Sequence, residues 1–166
     1  LTKSREKTLS LPDGVSVKKG YQTLSFYKET ASALKPFYGR LSLGETLLDR
    51  ENGFGYALTR GEIPFINGRL IEAMDLSIER LETPLTIRNS EEGDYIELKG
   101  VNGRKKLNDF FIDNKIEKSE RDGVPLVVNG DGCEIILILG HRKIDGFADS
   151  NSGVFLRLYV LEDNTQ

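Results

Sequence analysis

Gly103-Arg104-Lys105-Lys106-Leu107-Asn108-Asp109-Phe110-Phe111-Ile112-Asp113-Asn114-Lys115-Ile116 is the stretch on which the reading of this chain turns, and Lys118-Ser119-Glu120-Arg121-Asp122-Gly123-Val124-Pro125 follows it. Leu107, Phe110 and Phe111 stand at i, i+3 and i+4, the spacing that places side chains on one face of a helix. The spacing predicts a short helix with a buried apolar face, and Asp109 and Asp113 turned largely away from it. Lys105 and Asp109, at i and i+4, are expected to pair for a few tenths of a kcal/mol at best. Arg104, Lys105 and Lys106 arrive together at the expected helix start, where the macrodipole is positive and favours acids. That arrangement gives up local stability, while free N–H groups beside clustered cations suit a phosphate. Ser119 is expected to cap a second, one-turn helix with Asp122 at its third position, stopped by Gly123 and Pro125.

Outward from this centre the chain reads as strands. Residues 84–88 and 95–98 are short strands around an exposed turn at 89–93. Leu126-Val127-Val128 and Cys133-Glu134-Ile135-Ile136-Leu137-Ile138-Leu139 form a hairpin across Asn129-Gly130-Asp131-Gly132. The second of these strands is almost wholly apolar, which predicts a central strand covered on both faces. Residues 154–161 make a last strand. Toward the start, Val15-Ser16-Val17-Lys18 and Thr23-Leu24-Ser25-Phe26-Tyr27 alternate, predicting a hairpin of half-buried strands. Leu41-Ser42-Leu43, Thr46-Leu47-Leu48 and Phe54-Gly55-Tyr56-Ala57-Leu58 are strand-like, and residues 70–81 fit a strand pair or a short helix. Many strands and few helices give the α+β class: mostly antiparallel strands in two packed sheets with a few short helices. Residues 1–10 read as a polar, basic linker or tail. Residues 11–84 read as the β-rich N-terminal part of one compact domain that residues 85–162 complete.

A length of 166 residues suits one domain, and eight Phe and six Tyr supply a real core. The net charge of −3 argues against a surface that binds nucleic acid everywhere, so any RNA site needs locally gathered cations. One cysteine, Cys133, excludes an internal disulfide, and no secretory signal or membrane span is visible; cytoplasmic residence is the expectation. The chain starts with Leu1, which suggests a piece of a longer protein.

Catalytic signatures are sparse. There is no G-x-x-x-x-G-K-[ST] loop and no G-x-G-x-x-G. His141 stands without a Cys/His cluster, which points to a structural or RNA-facing imidazole rather than a metal ligand. Cys133 reads as a small core hydrophobe opening a buried strand, and Glu91-Glu92 as solvated turn residues. The cations Arg104, Lys105, Lys106, Lys115, Arg121, Arg142 and Lys143, with Lys99 as a weaker member, are the candidate binding residues. Their other reading is ordinary surface charge, since Asp109, Asp113, Glu117 and Glu120 are interleaved with them. Phe110 and Phe111 read as core before they read as base-stacking groups.

The run Lys105 to Ile116, with Arg121-Asp122, Pro125-Leu126-Val127 and Gly140-His141-Arg142-Lys143-Ile144, resembles the C-terminal domain of the tRNA(Ile)-lysidine synthetase family. Ile87-Arg88 and Gly93-Asp94 sit where that family has an Arg…Gly-Asp opening. The resemblance runs from about Ile87 to Asp145. Two places depart from the pattern: Tyr95, where members often carry a base, and Glu117-Lys118, where Pro-Arg is usual. The resemblance implies a parent ligase that joins lysine to the wobble cytidine of the CAU anticodon of tRNA(Ile), consuming ATP and changing its reading from AUG to AUA. It makes residues 85–162 a tRNA-binding domain whose contacts are the seven cations above. The family's catalytic domain carries a Ser-Gly-Gly loop that is absent from this sequence, so ATP and Mg2+ are expected on a catalytic partner domain and no cofactor here. Rival expectations are a scaffold or homodimerisation module using apolar residues of the first half, and a small-ligand domain like the related one in the β subunit of phenylalanyl-tRNA synthetase.

Overall fold

The computed structural model describes residues 7–11, 15–19, 24–28, 34–98, 103–144, 147, 149 and 151–162. In chain order the first strands are β1 (Lys7–Leu11), β2 (Val15–Lys19), β3 (Leu24–Lys28), β4 (Tyr38–Leu41), β5 (Glu45–Asp49), β6 (Phe54–Arg60) and β7 (Gly68–Asp75). There follow β8 (Leu85–Arg88), β9 (Tyr95–Glu97), β10 (Arg104–Lys106), α1 (Leu107–Asp113) and α2 (Lys118–Arg121). The chain then runs through β11 (Leu126–Val128), β12 (Ile135–Ile138), β13 (Arg142–Lys143) and β14 (Val154–Leu161). Mostly antiparallel strands with two short helices make this an α+β fold.

The strands β1, β2 and β3 form one antiparallel sheet, with Val17 opposite both Leu9 and Phe26. The hairpin expected from the alternation is β2–β3. Residues 7–10, whose composition suggests a tail, lie in β1, because β2 offers them a partner and composition does not encode pairing.

Two larger sheets carry the rest, one in the order β13-β12-β11-β8-β4 and the other β5-β6-β14-β7. In place of a strand pair or short helix over residues 70–81, a single strand β7 runs to Asp75. The cause is β14, which supplies a continuous antiparallel partner; Leu76 N–H still reaches the Val154 carbonyl at 2.9 Å. Cys133 precedes β12 rather than opening it, and is partly exposed.

Alternation along the strands sets the layers. Val154, Leu156, Leu158 and Val160 of β14 join Phe54, Tyr56 and Leu58 of β6 in the core. Gly39 of β4 lies against β5, since a Cβ there would come 2.6 Å from Leu47 Cδ2. Leu85 and Ile87 stand opposite Leu41 and Gly39 and share that face, so Thr86 and Arg88 face away from the four-stranded sheet. Every residue of β8, β11 and β12 is buried, which requires cover on the second face too. The β9–β10 hairpin and α1 provide it, with Ile96, Leu107, Phe110 and Phe111 in the same core. The order is therefore four-stranded sheet, five-stranded sheet, then helix and hairpin.

On the outer face of the four-stranded sheet, residues 61–67 pass from the end of β6 to the start of β7 across β14, which lies between them. Arg157 Nη1 donates to the Glu62 carbonyl at 3.1 Å and to Thr59 Oγ1 at 2.8 Å, holding this strap down. Ile63 and Phe65 point out from it, 79% and 94% exposed. Among the described residues no helix is long and apolar enough to cross a membrane.

Candidate nucleic-acid interface

The face of α1 is as its spacing predicts: Leu107, Phe110 and Phe111 are buried, the two rings edge to face at 6.2 Å. Their burial leaves neither ring for a base. The start of the helix differs from expectation. Arg104 and Lys105 lie on β10, opposite Glu97 and Ile96 of β9, and Lys106 is the residue that caps α1 with extended backbone. The first turn carries Asp109, an acid, as the macrodipole favours. Leu107 N–H donates to the Asp94 carbonyl at 2.9 Å, so β9 satisfies one of the N–H groups expected to be free. The cations are thus a strand's cations, and the mismatch with the dipole disappears.

Alternation on β10 separates them. Arg104 and Lys106 share one row, both exposed, while Lys105 points to the other side and pairs with Asp113. The expected Lys105–Asp109 pair is not the one formed, because Lys105 is not on the helix. Arg104 lies over the ring of Tyr95, its guanidinium carbon 4.3 Å from the centroid. Glu97, directly opposite Arg104, bonds instead to Arg80 at 2.9 Å, and Arg80 also takes Glu134 at 3.1 Å. Arg104 and Lys106 consequently make no ion pair among the described residues.

The other candidates follow α1 in the chain. Lys115 follows the helix cap with a left-handed φ of 56°, exposed, its N–H on the Ile112 carbonyl at 3.0 Å. Arg121 Nε donates to the Ile116 carbonyl at 2.9 Å, and its guanidinium stands 6.0 Å from the Phe111 ring. Its helix α2 begins two residues earlier than expected: Glu117 rather than Ser119 is the cap, because Glu120 N–H and Arg121 N–H both close onto the Glu117 carbonyl, and Asp122 ends it. Arg142, exposed, and Lys143 form β13 opposite Ile138 and Leu137. This is the end of β12 at which Leu139 N–H meets the Pro125 carbonyl, just beyond α2. Tyr95 bridges Glu134 at the opposite end. The structure therefore puts Arg104, Lys105 and Lys106 on the strand that enters α1, Lys115 and Arg121 after the helix ends, and Arg142 and Lys143 on the edge strand β13. His141, in the turn before β13, is pushed below its ordinary pKa of 6.5 by burial and is neutral at pH 7.

Three residues outside the sequence-derived set organise this layer. Arg88 and Asp94 form a buried two-bond pair, Nη2–Oδ1 at 2.7 Å and Nη1–Oδ2 at 2.9 Å. Their signal was present in the Arg…Gly-Asp spacing. Arg80 had none, since both its acids are distant in sequence.

Residues 85–158 match the family described as the TilS substrate C-terminal domain. The tRNA(Ile)-lysidine synthase of Bacillus subtilis is 36% identical over 150 residues, covering 81% of this chain and 29% of that protein. The bifunctional protein TilS/HprT of Listeria innocua is 32% identical over 139 residues, covering 82% of this chain and 20% of that protein. A crystal structure of a TilS C-terminal domain superposes with a TM-score of 0.56 at 28% identity, over 78% of this chain and 100% of that one. The chain thus spans between a fifth and a third of the length of these curated relatives. Matching sequence over the helix, hairpin and five-stranded sheet, together with matching fold, places this chain in the tRNA(Ile)-lysidine synthase family through a TilS substrate C-terminal domain.

Proposed function

We propose that this chain is the tRNA-gripping part of a tRNA(Ile)-lysidine synthase, a cytoplasmic ligase that joins lysine to the wobble cytidine of the CAU anticodon at the expense of ATP. The observation that supports it most is the pattern of pairing around β10. The nearby acids Glu97, Glu134 and Asp113 are committed to Arg80 and Lys105, and Arg104 and Lys106 stay exposed and unpaired among the described residues. RNA duplexes present a wall of phosphates and a shallow minor groove, which exposed cations on the β10 strand suit. The domain would hold the acceptor-stem side while a catalytic domain outside this sequence works at the anticodon loop. ATP and Mg2+ belong to that domain, because no Ser-Gly-Gly loop occurs here to cradle a nucleotide. The test is an electrophoretic titration of tRNA(Ile) bearing CAU against elongator tRNA(Met) at two salt concentrations. With about three to five phosphates neutralised, log affinity falls against log salt with a slope of roughly −2 to −4. Binding that ignores salt, or no binding, rejects the reading.

The strap favours a second role. Ile63 and Phe65 stand on the side of the two sheets away from α1, and exposed apolar groups of that size suit a protein interface. A homodimer, or packing against the catalytic domain, would use this side without competing with tRNA. Sedimentation of the chain before and after Phe65→Ser distinguishes a dimer from a monomer.

A further inference from the structure

Resting on the RNA reading above, we infer that Tyr95 and Arg104 form a stacking platform for one unpaired nucleotide, with Lys106 beside it for the phosphate. The guanidinium carbon of Arg104 lies over the Tyr95 ring, 4.3 Å from its centroid, which holds a flat, charged group against an aromatic face. Tyr95 takes one side of the guanidinium, and Arg104 remains exposed, so the group is open to a second planar partner. Lys106 is the cross-strand partner of Tyr95 and shares the row of Arg104, so a second cation stands on the strand directly opposite the tyrosine. An acid would ordinarily neutralise such a group, and Glu97 stands opposite Arg104 for that purpose. Arg80 draws it away at 2.9 Å and holds Glu134 at 3.1 Å as well. Arg80 is thus a positioning residue that keeps the platform cationic.

A plane of this kind has no use against the body of an RNA duplex. Paired bases are stacked on one another, and the deep groove excludes side chains. It has a use at an end or bulge, where a base is free to stack on an aromatic or arginine plane while its phosphate meets a cation. Phe110 and Phe111 cannot serve, being 2% and 1% exposed. The ligand class is therefore a single-stranded nucleotide adjoining a helix that the other cations hold.

The experiment compares a short RNA hairpin with a blunt end and the same hairpin with a two-nucleotide 3′ overhang, by fluorescence anisotropy at fixed salt. The unsubstituted chain is expected to bind the overhang about tenfold more tightly. Tyr95→Phe keeps that preference; Tyr95→Leu and Arg104→Lys are expected to reduce the ratio between the two hairpins to about one, whatever they do to blunt hairpin binding, Arg104→Lys keeping the charge but not the plane. Arg104 is exposed, so its variant folds even if Tyr95→Leu does not. Equal affinity for the two hairpins, or a preference indifferent to both substitutions, overturns the platform and leaves the RNA reading standing. Failure to bind either hairpin removes the RNA reading itself, and the platform with it.

Discussion

Arg88 and Asp94 meet in a fully internal, two-bond ion pair that joins β8 to the start of β9. Arg88 also donates to the Asn89 carbonyl at 2.9 Å and the Gly132 carbonyl at 3.3 Å, while Asp94 accepts from Glu91 N–H at 2.8 Å. The Asp94 carbonyl then receives the first N–H of α1. One pair thus sets the turn at residues 89–93, the β11–β12 loop and the position of the helix on which the cations depend.

Removing one member leaves a charge buried without its partner. Arg88→Met or Asp94→Leu alone is expected to cost about 3–5 kcal/mol, and the double substitution clearly less than the sum. Urea unfolding of the three variants checks this; additive losses would show that the pair acts as two separate groups.

Two glycines separate a hard contact from a soft one. A Cβ at Gly68 would lie 2.5 Å from the backbone oxygen of Val160, whereas at Gly39 it meets the flexible end of Leu47 at 2.6 Å. Gly68→Ala must shift β14 itself and is expected to cost about 1–3 kcal/mol. Gly39→Ala, relieved by a Leu47 rotation, costs less. The order of the two melting temperatures is the measurement.

Asp113 masks Lys105 at the surface, where such pairs contribute about 0–1 kcal/mol. Asp113→Asn is therefore expected to leave stability nearly unchanged, strengthen tRNA binding and steepen the salt slope by up to about 1. Lys106→Glu does the opposite to binding, again with the melting temperature nearly constant. Unfolding of either variant would make these residues structural.

His141 carries a pH signature. Burial depresses its folded pKa below 6.5, so below that pH the unfolded chain binds more protons than the folded one. Stability is fully present above 6.5 and falls as the pH drops through the folded value. His141→Gln should flatten urea midpoints over pH 8 to 5 relative to the unsubstituted chain; an unchanged slope would place the effect elsewhere.

Local pattern reached far in this chain. The i, i+3, i+4 spacing of Leu107, Phe110 and Phe111 was enough for α1 and its buried face, because a helix is closed by bonds within itself. The apolar run at Ile135-Ile136-Leu137-Ile138 announced a strand covered on both faces, and Asn129-Gly130-Asp131-Gly132 its hairpin. The motifs around Arg88, Asp94 and α1 disclosed the family.

What pattern left open was every matter of partnership. Whether Arg104-Lys105-Lys106 begins a helix or ends a strand depends on β9, and residues 70–75 needed β14, far along the chain, to settle into one strand that stops at Asp75. Which cations stay free was decided by Arg80, Glu97, Glu134 and Asp113 meeting across the fold. Spacing along the chain determines which side chains share a face; only folding in three dimensions determines which opposite charges come within reach, because electrostatic pairing depends on distance in space and not on separation in sequence.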